Sequence, residues 1–79
     1  MDWFDETVEA LAEAAGIDPT DLQLSVELRD EILDLARIAS HDSGERINAP
    51  LLCYALGIAV GKGTSLETLA SVIRARENS

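Results

Sequence analysis

Positive charge is scarce in this chain. Six Lys and Arg stand against fifteen Asp and Glu, for a formal net charge of −9. The imbalance belongs to one half. Positions 1–34 carry eleven acids and one base, Arg29, for −10, whereas positions 35–79 carry four acids and five bases, for +1. An acidic half repels polyanions, which excludes nucleic acid and anionic membrane as partners of that half. Charge of one sign favours solubility, and it also makes a docking face for a basic partner.

Aromatics are few as well, only Trp3, Phe4 and Tyr54. A core must then be built from Leu, Ile, Val and Ala, a set that favours helices over sheets. A single cysteine, Cys53, rules out an internal disulfide and suits a reducing cytoplasm. Between Leu52 and Tyr54 it reads as a packed thiol. The longest uncharged run, 47–61, falls short of the ~20 residues a membrane-spanning helix needs. Asp2, Asp5 and Glu6 stand where a secretory signal would be basic. The expectation is a soluble, cytoplasmic chain.

Seventy-nine residues make one domain, 1–79, near the lower limit for a self-sufficient core. Little room is left for a deep catalytic cleft, and the motifs of catalysis are missing. Phosphate loops of the GxxxxGK[ST] and GxGxxG types are absent, and Gly61-Lys62-Gly63-Thr64 reads as a helix stop followed by a cap. One His and one Cys do not make a zinc site, and acids at calcium-loop spacing are lacking. His41, Asp42 and Ser43 have the residue types of a triad, but sequence neighbours rarely meet as a working one. Neither a catalytic residue nor a metal or cofactor is expected. The chain reads as a non-enzyme.

What is present is helical periodicity throughout. Asp2 caps a first helix running to about 15, with Trp3, Phe4, Thr7, Val8, Leu11, Ala14 and Ala15 on its apolar face and Gly16 ending it. Asp18 with Pro19 starts a short turn, and Ser25 caps a second helix over 26–41. Leu28, Ile32, Leu35, Ala36 and Ala39 make its core stripe. Asn48 is placed to cap a third helix that is apolar on every side from 51 to 60, a pattern that predicts a central, buried helix. Gly57 and Gly61, four apart, would seat a close neighbour inside the domain. Thr64 and Glu67 form a capping-box pattern for a fourth helix. Its inward residues are Leu66, Leu69, Ala70 and Ile73; Arg74 and Arg76 complement its C-terminal dipole, and 77–79 should fray. The predicted fold class is all-α, a compact four-helix domain with a buried, Gly/Ala-rich third helix.

The candidate site lies where the polar loop at 41–46 meets the third helix. Arg37, His41 and Arg46, beside free amides at Asn48 and Ala49, would attract a phosphate or carboxylate. The same residues also read as a loop pinned by Arg37 and Arg46 on Asp34, Asp42 or Glu45, with His41 capping its own helix. Two functions follow. One is a non-catalytic accessory domain that docks a protein partner through the loop at 40–48, the acidic face of the first two helices, or both. The alternative is a small-anion or nucleotide-binding domain at that loop. A homodimer through an exposed Trp3 or through the Gly57 and Gly61 face is open to either.

Trp3, Ile32-Leu33-Asp34-Leu35-Ala36-Arg37, His41, Arg46, Ala49-Pro50-Leu51 and the Gly57–Gly61 segment together carry a resemblance. The chain resembles a small helical domain of unknown function, known mostly from actinobacteria. That domain occurs alone or fused to molybdopterin-guanine dinucleotide biosynthesis nucleotidyltransferases. The likeness is most specific over 33–61. It departs at Ile47-Asn48, where a proline is expected, and at Cys53-Tyr54, which replace a threonine and an aromatic. The resemblance implies a link to molybdenum-cofactor biosynthesis, and it carries over no catalytic residue.

Overall fold

Short polar side chains and two glycines set the helix boundaries. The computed structural model describes residues 2–77. Helix α1 spans Trp3–Ala15, and a single 3-10 turn follows at Pro19–Leu22. Helix α2 spans Val26–Ser43, α3 spans Asn48–Gly61 and α4 spans Leu66–Glu77. Among the described residues there is no strand, and the domain is all-α with four helices. Asn78 and Ser79, expected to fray, lie outside the described residues.

Each cap satisfies an amide that the helix start leaves without a partner. Asp2 Oδ1 accepts the Asp5 amide at 2.9 Å, Asp18 Oδ1 the Thr20 amide at 2.9 Å, and Ser25 Oγ the Leu28 amide at 3.1 Å. Gly16 and Gly44 end α1 and α2 at φ 71° and 74°, a left-handed conformation that a Cβ disfavours. Helix α2 therefore runs two residues past the expected end at His41.

Two caps differ from expectation. Asn48 is the first residue of α3, and Ile47 holds the cap position with no side-chain bond. The turn before it already receives the Asn48 and Ala49 amides on the Glu45 and Arg46 carbonyls, at 3.2 and 3.1 Å. At α4, Ser65 replaces Thr64: Ser65 Oγ accepts the Thr68 amide at 3.2 Å, while the Thr64 amide donates back to the Ala59 carbonyl.

The central helix is α2, with α3 and α4 packed against it. Leu35 and Ile38 of α2 meet Leu56 and Ala70 in the buried cluster, and Leu52, Leu66, Leu69 and Ile73 close around them. Arg74 ties α4 to α2 from outside. Its Nη1 lies 2.6 Å from Glu31 Oε1 and its Nη2 lies 2.9 Å from Asp34 Oδ2.

The third helix is not buried, which corrects the reading of its composition. Only Leu56 is enclosed. On the opposite side Ile47, Leu51, Tyr54 and Ile58 are 65, 63, 75 and 48 % exposed. An all-apolar helix is buried only if neighbours surround it, and here α2 and α4 leave half its circumference open. Gly57 and Gly61 seat nothing inside the domain; a Cβ on either would have no atom within 4 Å. Helix α1 has moved away with the 3-10 turn on which it rests. Of its predicted apolar face only Val8 is buried, Trp3 is exposed, and Ala12, which lies off that face, is buried instead. The molecule is accordingly elongated, 42 × 25 × 20 Å. Its radius of gyration is 13.8 Å, against about 11.6 Å for a close-packed domain of this length.

Candidate functional site

The candidate residues come from the C-terminal half of α2, the turn after it and the start of α3. Arg37 and His41 share the outer side of α2, four residues apart. Arg37 donates from Nε and Nη2 to Asp34 Oδ1 at 3.2 and 3.0 Å, so an acid on its own helix already partners its charge. His41 and Arg46 are both exposed. Asn48 lines a different feature, a cleft of about 750 Å³ at the junction of α2, α3 and α4, beside Asp42, Ser43, Arg76 and Glu77. Ala49 is half-buried. The start of α3 offers little to an anion: the Asn48 and Ala49 amides bond the preceding turn, and Pro50 has no N–H.

Ser43 is occupied as well. Its Oγ lies 2.7 Å from the Ala39 carbonyl and 3.2 Å from the Glu45 carbonyl, and it accepts the Glu45 amide at 3.2 Å. These bonds close the C-terminal turn of α2, a structural role. Cys53 is half-buried, and burial pushes its thiol above the ordinary value, which lowers its nucleophilicity. Among the described residues, no group of three or more His, Cys, Asp or Glu is placed to hold a metal ion. Nor, among them, is any helix long and apolar enough to cross a membrane.

A groove between α1 and the first half of α2 gathers more. It is open to solvent, with a volume of about 810 Å³. Its apolar lining is Phe4, Val8, Leu24, Ile32 and Leu33, and its acidic lining is Asp2, Asp5 and Glu9, with Arg29 the one base. Phe4, Leu24 and Leu33 remain substantially exposed within it. It lies in the −10 half of the chain, so an apolar surface sits under a negative field. Sequence reading found the acidic face and missed Leu24 and Leu33. The available signal was their position: Leu33 is apolar yet falls off the core stripe of α2, and Leu24 is an apolar residue in the link just before it.

Fold and surface together define a small all-helical domain with two exposed apolar surfaces, one edged by acids and one uncharged. The chain belongs to the family described as Domain of unknown function (DUF6457), which it matches over residues 1–78. No curated protein and no solved structure matches it.

Proposed function

We propose that the chain is a non-catalytic accessory domain that binds another protein in the groove between α1 and α2. The observation that supports this reading is the acid-edged apolar groove of about 810 Å³. The chemistry it suits is a basic amphipathic segment whose apolar residues reach Phe4, Leu24 and Leu33 while its Lys and Arg face Asp2, Asp5 and Glu9. Such complementarity steers encounter and weakens with salt.

The resemblance over 33–61 suggests the partner's class: an enzyme of molybdopterin-guanine dinucleotide biosynthesis, met in the cytoplasm. The test is affinity capture from native lysate with the intact chain beside Leu33→Glu, followed by titration with the identified protein. The expected result is a molybdenum-cofactor enzyme retained by the intact chain and lost by the variant, with affinity falling as salt rises. Equal retention by both chains would move the contact off the groove. If neither retains a protein, and phosphate shifts Arg46 through Ala49 saturably, the small-anion alternative replaces this reading.

A further inference from the structure

The open side of α3 carries a second, independent feature. Ile47, Leu51, Tyr54 and Ile58 follow one another at intervals of four, three and four, which places them in one line along a helix. All four are about half exposed or more. Gly57 and Gly61 flank the line, with no atom within 4 Å of a Cβ on either, so another backbone can approach there. No charged residue lies between Ile47 and Gly61.

We propose that this face is covered by a second copy of the chain, its α3 packed antiparallel about a two-fold axis. Three observations commit the face to that occupant. The first is charge. A chain of net −9 repels itself at most approaches, and among the described residues α3 is the only helix without a charge. The second is self-complementarity. The line is symmetric about its centre, so an antiparallel copy sets Ile47 against Ile58 and Leu51 against Tyr54 twice over, as an isologous contact requires. That orientation also opposes the helix dipoles, whereas a parallel pair would set Lys62 beside Lys62. The third is area. At the observed exposures the four residues offer on the order of 500 Å² per copy, so a pair that covers them fully buries about 1,000 Å², the threshold a biological interface has to clear.

The test is sedimentation equilibrium of the intact chain from about 1 to 500 µM, the range in which an interface of minimal area assembles. The expected result is a mass rising from 8.5 kDa to twice that value. Tyr54→Glu and Ile58→Lys should each hold the chain monomeric with helix content by circular dichroism unchanged. Val72→Glu, which alters an exposed apolar residue of α4 away from the line, should still dimerise. In the antiparallel pair, spin labels on Lys62→Cys in a Cys53→Ser background sit roughly 30 Å apart at 1.5 Å per residue. A monomer at every concentration would overturn the proposal, as would a dimer indifferent to Tyr54→Glu and Ile58→Lys. A monomer that binds neutral-lipid vesicles through Tyr54 would assign the face to a bilayer surface. Labels closer than about 15 Å, as the 8–10 Å spacing of parallel helices would give, would overturn the geometry.

Discussion

Leu35 has no exposed surface and stands where α2, α3 and α4 converge. Leu35→Ala should cost about 2–5 kcal/mol, a large share of the about 4–12 kcal/mol expected for a chain this long. Urea denaturation of variant and parent reads the difference as a shifted midpoint. Two glycines should answer in opposite directions. Gly57 lies inside α3 with open space around it, so Gly57→Ala should stabilise the monomer by about 0.5–1 kcal/mol. Gly16 holds φ 71°, so Gly16→Ala should cost about 1 kcal/mol. Thermal melts at dilution compare them. At this scale much was legible from sequence. Asp2, Asp18 and Ser25 bond amides two or three residues ahead, and such partners are written next to them in the chain. Ile38 and Ala12 were not legible as buried residues, because their burial depends on segments that other parts of the chain bring to them.

Among elements, α4 shows what local reading misses. Arg74 was expected to complement the end of its own helix, yet it bridges Glu31 and Asp34 forty residues and more away. Hydrogen bonds from Arg74, then from Arg37, hold the Asp34 carboxyl below its ordinary value of 3.8. The unfolded chain therefore takes up the Asp34 proton at higher pH than the folded one. The stabilisation is complete above about pH 4 and is lost as pH falls through the depressed folded value. Asp34→Asn should flatten the acid limb of a stability profile measured from about pH 6 to pH 3, and high salt should blunt the difference. Helix α3 teaches the complementary lesson. Its composition established an uncharged helix, but whether such a helix is enclosed depends on how many neighbours the remaining chain supplies. In this chain two neighbours are available.

At the scale of the molecule, the four-helix architecture was readable from periodicity, and the elongated arrangement was not. The difference lies at residues 23–25, an extended link that sets the direction in which α1 leaves the core. That direction opens the groove. The acidic face was recognisable because charge adds up along a sequence; its apolar floor was not, because it is assembled from both sides of the link. The candidate loop at 41–46 was conspicuous for its polarity; within it the Ser43 hydroxyl and the backbone close α2 and start α3, while the His41 and Arg46 side chains are exposed.

The resting place of α1 has a consequence in time. Bedded on the 3-10 turn and joined to the rest by an extended link, it contributes no residue to the cluster around Leu35. Amide hydrogen exchange should therefore fall into two tiers, with α1 surrendering its protons through a partial opening and the α2–α3 pair only through global unfolding. A protein segment that grips Phe4 and Leu33 together would fasten one tier to the other. Slowed exchange in α1, far more than any change in shape, would then be the signature of an occupied groove.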